Sequence, residues 1–226
     1  VELGVNVPIA WGLSFVGALS YGDYEYTSNP EFTQMIDNSA TDVVKSKVNW
    51  KGMKVESTPQ VALNIGLNYK TSNNIYLSVD AEYFDKMYLS MNPLYRTEGA
   101  MSGYIDTKKV DAIFDGTIDN IIADAALDKV AAESIRTLTA QEKFKPAFIV
   151  NASIGKTWYI GGKQLGFSLE IKNLTNTITK TGGFEQMRLF SNDEYETTTG
   201  TRYTRFDSKY FYLYGTNYYL NVYFRF

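Results

Sequence analysis

Apolar and polar residues alternate with a period of two in seven segments of this 226-residue chain. In VELGVNVPI, Val1, Leu3, Val5, Val7 and Ile9 share one parity, and Glu2, Gly4 and Asn6 take the other. WGLSFVGALSYGDYEYT sets Trp11, Leu13, Phe15, Leu19 and Tyr21 against Gly12, Ser14, Ser20 and Gly22. PQVALNIGLNYK opposes Val61, Leu63, Ile65, Leu67 and Tyr69 to Asn64, Gly66 and Asn68, and IYLSVDAEYF opposes Ile75, Leu77, Val79, Ala81 and Tyr83 to Ser78, Asp80 and Glu82. FIVNASIGKTWYI, QLGFSLEIKN and the closing NYYLNVYFRF follow the same rule; in the last, Leu220, Val222, Phe224 and Phe226 face away from Tyr219, Asn221, Tyr223 and Arg225. Successive side chains of a strand point to opposite faces, so each segment predicts a strand with one apolar and one polar face.

The connections sort by length. Those at 8–10, 72–74 and 161–163 are very short, and those at 28–58, 91–143 and 181–210 are long. Short turns at one end and extended loops at the other are the pattern of an outer-membrane barrel. A soluble antiparallel sandwich also alternates its faces, and remains the alternative on periodicity alone. Asp80, Glu82, Glu170 and Lys172 fall on the polar parity, where a packed core would have no use for them and a hydrated lumen would. Trp11, Tyr21, Tyr69, Tyr83 and Trp158 lie near strand ends, as girdle aromatics do. The reading is therefore all-β, a transmembrane antiparallel barrel. Seven strands is an odd number and the chain opens on Val1 already in strand rhythm, so the expectation is the C-terminal part of a larger barrel. One long connection carries a helical signal. Ile118, Ile122, Ala126 and Val130 recur every four residues, predicting a helix over 119–136 capped by Asp119 and Asn120.

Composition removes whole classes of chemistry. With neither Cys nor His there is no thiol nucleophile, thiolate metal site, Ser-His-Asp arrangement or imidazole ligand. A net charge of -3 without a basic run gives no nucleic-acid footprint. Asp80, Glu82 and Glu170 admit an acid/base or metal-holding role, but lumen-facing charges more often meet water or another protein surface. No enzyme activity and no cofactor are expected. Two Asn-x-Ser/Thr sequons, at Asn151 and Asn173, lie in predicted strands and read as chance.

LEIKNLTNTITKTGGFEQMR and YFYLYGTNYYLNVYFRF resemble the C-terminal end of a TonB-dependent outer-membrane transporter, of the kind abundant in Bacteroidetes. The matching features are the Asn-Leu-x-Asn element of Asn173, Leu174 and Asn176, and the final strand ending in Phe226. Lys172 departs from the further Asn frequent at that place. The resemblance is specific over 161–226 and only architectural before it.

It implies a 22-strand barrel in the bacterial outer membrane, occluded by a plug domain and energised through the TonB complex, that imports a scarce large solute such as a siderophore, haem, glycan or peptide. Implied partners are upstream barrel strands, the plug, outer-membrane lipid and the barrel-assembly machinery, for which Phe226 resembles the signal; a surface lipoprotein is a further possible partner. Asp80, Glu82, Glu170 and Lys172 would face the lumen or the plug. A passive porin, a barrel enzyme and a secreted β-rich binding module are the alternatives. In the third long connection, Phe184, Arg188, Tyr195, Arg202, Tyr203, Arg205 and Tyr210 form the candidate solute-binding set, because aromatic faces and guanidinium forks suit a polar or anionic solute.

Overall fold

A computed structural model describes residues 1–35, 43–105, 116–125, 127–187, 189–197 and 200–226, with the backbone alone for 43–44, 124, 189–197 and 200–204. All seven alternating segments become strands: β1 (Glu2–Ala10), β2 (Leu13–Tyr21), β5 (Val61–Lys70), β6 (Ile75–Asp85), β7 (Ala147–Ile160), β8 (Lys163–Lys172) and β13 (Asn217–Arg225). They form one antiparallel sheet in the order β1-β2-β5-β6-β7-β8-β13. Among the described residues this sheet is open, β1 pairing only with β2 and β13 only with β8.

Register carries the parity of each strand across the whole sheet, because residues opposite one another share a face. One row runs Val7, Phe15, Leu67, Val79, Ala152, Ile171 and Tyr218. This apolar face has no cover among the described residues: Leu3 is 64% exposed, Val79 52% and Leu220 63%. The buried residues of the sheet are Gly17, Gly66, Ala147, Ile149, Gly155 and Gly166, so it has no apolar core of its own.

The short connections are tight hairpins. Gly161 and Gly162 take φ 58 and 79 between paired Ile160 and Lys163, the left-handed pair that a two-residue turn matching the strand twist requires. Trp11 and Gly12 do the same at φ 49 and 83, which moves the first turn to 11–12 from its expected place at 8–10. Pro8 instead sits at a register shift within β1. Gly155 and Gly166 have another purpose: a Cβ at either would collide with the ring of Tyr76 or Tyr223 lying over it. The Tyr223 hydroxyl also meets Thr157 Oγ1 at 2.8 Å.

The long connections are structured, the first and third as well as the second, where a helix was expected. The first holds a hairpin, β3 (Glu31–Met35) with β4 (Val43–Lys47). The third holds two, β9 (Lys180–Phe184) with β12 (Lys209–Tyr212), and β10 (Leu189–Thr197) with β11 (Gly200–Arg205). The second contains a 3₁₀ turn, Pro93–Arg96, and helices α1 (Glu98–Met101), α2 (Ile118–Asp124) and α3 (Lys129–Thr139). The single helix expected over 119–136 is thus two. Thr117 caps α2 in a reciprocal box with Asn120, and Asp128 accepts from Ala131 N to start α3, so Asp119 caps nothing. Met101, Ile105, Ile118, Ile121, Ile122, Ala132 and Ile135 pack into the largest buried cluster. The core of the described chain therefore lies in its connections, at one end of the sheet.

Candidate functional site

The polar face of the sheet gathers the charged residues singled out in the sequence. Asp80 pairs across the ladder with Asn151 and Gly66, Glu82 with Asn64, Glu170 with Ser153 and Tyr219, and Lys172 with Asn217. All four line a cleft of about 660 Å³ together with Asn64, Asn68, Asn151 and Tyr214. Asn151 organises the acidic side: its Nδ2 donates to Asp80 Oδ2 at 2.8 Å and to Glu82 Oε1 at 3.3 Å. Lys172 Nζ stands 3.5 Å from Glu170 Oε1. The cleft thus offers carboxylates, amides and a phenol, which suits hydrogen bonding to a polar surface. Ser78 and Ser153 bond each other at 2.7 Å. Among the described residues no group of His, Cys, Asp and Glu is arranged to hold a metal.

The Asn-Leu-x-Asn element builds the end of β8. Asn173 is buried and left-handed at φ 54, and its backbone N–H donates to Asn151 Oδ1 at 3.0 Å. Its Nδ2 donates to the carbonyls of Thr177 and Tyr214, while its Oδ1 accepts from Thr177 N and Thr175 Oγ1. Asn176, at φ 52, accepts from Thr216 N. Asparagine tolerates this backbone region and its amide can serve both strands, so the element ties the end of β8 to the starts of β7 and β13.

Two of the candidate solute residues hold the cap of connections together. Arg96 is fully buried and forks onto Glu185, Nη1 to Oε2 at 2.6 Å and Nη2 to Oε1 at 2.9 Å. Its remaining N–H groups donate to the carbonyls of Thr139, Asn92 and Ala140, which satisfies all five donors. Arg205 Nη2 reaches the same Glu185 Oε1, and its Nη1 donates to the carbonyls of Thr137 and Ala140. Tyr210 donates to Glu142 Oε2 at 2.6 Å, and Lys180 Nζ reaches Glu142 Oε1 at 2.6 Å. Both clusters join the second long connection to the third.

Phe184 remains 43% exposed, its ring 6.2 Å from that of Phe211. The backbones of Tyr195 and of Arg202 and Tyr203 belong to β10 and β11, and Arg188 lies outside the described residues. Phe226 is 96% exposed beside Phe224 at the short-turn end.

Electrostatics follow these contacts. Burial pushes the Glu142 carboxyl up, but hydrogen bonds from Lys180 and Tyr210 outweigh it and hold the group below its ordinary value. Lys180 is likewise lowered by burial and raised more by Glu142 and Tyr210. Tyr26 is pushed up to about 12 by burial and by Glu56, whose carboxylate accepts its hydroxyl at 3.0 Å.

Sequence reasoning did not single out Arg96, Glu185, Glu142 or Lys180 and read Asn151 only as a polar-face residue within a chance sequon. Parity was the available signal for Asn151. The ion pairs join residues far apart in the chain and left no local trace. Comparison with protein-family models, with curated proteins and with solved structures gave no match.

Proposed function

We propose that this chain is wall and extracellular cap of a TonB-dependent outer-membrane transporter, importing a scarce large solute. The observation that carries the reading is the uncovered apolar face continuous across seven strands, backed by a face bearing Asp80, Glu82, Glu170 and Lys172. Water on both sides would leave that apolar face uncovered, whereas the carboxylates need a hydrated side. Lipid on one side and a wet lumen on the other satisfies both. The dimensions agree. Nine residues of β1 rise about 30 Å, and at a tilt of about 40° they span about 23 Å, close to the apolar band of such barrels.

In this reading the unpaired edges of β1 and β13 take further barrel strands, since an open ladder in lipid costs several kcal/mol per unsatisfied group. The cleft on the polar face meets solute or plug. The cap forms the outer mouth, with Phe184 available to solute and Arg205 and Tyr210 holding the mouth in shape. Uptake draws on the TonB complex, insertion uses the assembly machinery through Phe226, and a surface lipoprotein can seat on the cap. No covalent chemistry is assigned.

The test is fractionation of cells expressing the intact protein, with carbonate and urea washes followed by gel migration with and without heating. Retention in the outer membrane and faster migration when unheated are expected. Recovery in a soluble fraction, with no heat-dependent shift, would overturn the proposal.

A further inference from the structure

Two lysines interrupt the apolar face of the sheet, and both lie at the short-turn end. Among the described sheet positions on that face the charged residues are Lys156, Lys163 and Asp85, and Asp85 stands at the opposite end, opposite Val61. Trp158, Leu165 and Phe224 form one cross-strand row. Lys156 lies one row further from the turn, opposite Phe167, and Lys163 one row nearer to it, opposite Ile160. Each leans onto the row between them: Lys156 Nζ is 5.3 Å from the centroid of the Trp158 ring, and Lys163 Nζ is 5.9 Å from that of Phe224. Two ammonium groups thus converge from above and below on an aromatic row that is itself exposed, Trp158 by 38% and Phe224 by 54%.

Resting on the membrane reading above, we propose that Lys156, Lys163, Trp158 and Phe224 form a binding site for the head-group phosphate of an anionic glycerophospholipid in the leaflet at the short-turn end. A lysine facing hydrocarbon is costly at mid-depth and costs little near the interface. Long lysine stems lie along apolar surface and deliver the ammonium to the head-group level. Among the described residues neither lysine stands in a salt bridge with a side-chain carboxylate, and the complementary charge can come from the surroundings. The aromatic row supplies the flat, interfacial floor that tryptophan and phenylalanine give at such a boundary. A phosphodiester with two acyl chains matches this surface: chains along the apolar rows, phosphate between the ammonium groups.

The experiment uses the intact protein with Trp11→Phe and Trp50→Phe, which leaves Trp158 as the single tryptophan of this stretch. It is reconstituted in phosphatidylcholine vesicles containing equal fractions of brominated phosphatidylglycerol or brominated phosphatidylcholine, and Trp158 quenching is measured. Phosphatidylglycerol is expected to occupy the site preferentially, by roughly fivefold for each lysine, and Lys156→Gln with Lys163→Gln should abolish the preference. Added inorganic phosphate should not compete. Equal quenching by the two lipids with both lysines intact would overturn the site and leave the membrane reading standing. Competition by free phosphate would also overturn it, in favour of a simple ion site. Failure of either brominated lipid to quench Trp158 would overturn both the site and the membrane reading.

Discussion

The sheet and the cap follow opposite rules about what is hidden. In the cap, Ile121 and Ile135 are fully buried, and Arg96, the buried cation among the described residues, is matched donor for donor. In the sheet, leucines and valines on one face have no cover among the described residues, and carboxylates occupy the opposite face. A chain in a single solvent would not be built both ways. The contrast assigns water to the cap and the polar face, and, in the proposed function, lipid to the other face.

The largest test of this contrast is Arg96→Ala. It leaves Glu185 buried with Arg205 as its sole guanidinium partner, and removing one member of a buried pair costs about 3 to 5 kcal/mol. Hydrogen exchange should rise together around Pro93–Arg96 and in β9, while the β5–β6 ladder keeps its protection. Loss of protection throughout would show that cap and sheet are one cooperative unit.

Next in size is Leu169→Arg beside Ser168→Arg. Leu169 faces outward, opposite Leu220, and Ser168 faces the polar side, opposite Asn221. Near mid-membrane the first should cost about 2 to 4 kcal/mol of insertion stability and the second far less, read from heat-modifiability and urea titration in lipid. Equal costs would break the assignment of solvents to faces.

The smallest effect is in pH. Glu142 is held below its ordinary value of 4.5, so its contribution to the cap is present above that value and is lost as pH falls through the lower, folded value. Lys180 is held above 10.5, so its contribution is present below that value and is lost as pH rises through the higher, folded one. Protection of β9 and β12, taken relative to the intrinsic exchange rate at each pH, should therefore be flat between these limits and fall beyond each, whereas Glu142→Gln should remove the acid limb. An acid limb that survives Glu142→Gln would place the titration elsewhere.

Strands were legible because their signal is local. Two-residue alternation in PQVALNIGLNYK needs no knowledge of the partner strand, and the register of Leu67 with Val79 follows once the turn at 72–74 is found. The cap was not legible because its order comes from contacts such as Arg96 with Glu185, which are 89 residues apart. The helical pattern misled for a related reason. Val130 fits the spacing yet is 74% exposed, while Ile135, outside the four-residue series, is at the centre of the cluster. Periodicity names a face but not what covers it. Asp80, Glu82, Glu170 and Lys172 do share one cleft, as their common parity indicates. Arg205 and Tyr210 looked like ligand groups by type, and the structure gives both of them partners within the chain.

Gly155 and Gly166 hold a further consequence. Each is a hollow into which one tyrosine ring fits, Tyr76 from β6 and Tyr223 from β13. Sliding β13 along β8 by two residues in either direction would bring Tyr223 onto Gln164 or Ser168, and by one residue would turn it to the other side of the sheet, so each hollow acts as a detent that admits one alignment. In a closed tube the accumulated stagger between neighbouring strands sets strand tilt and bore. In the proposed barrel, two missing side chains, each a single carbon, would thus help gauge the width of the passage, and Gly155→Ala or Gly166→Ala would change calibre before it changed chemistry.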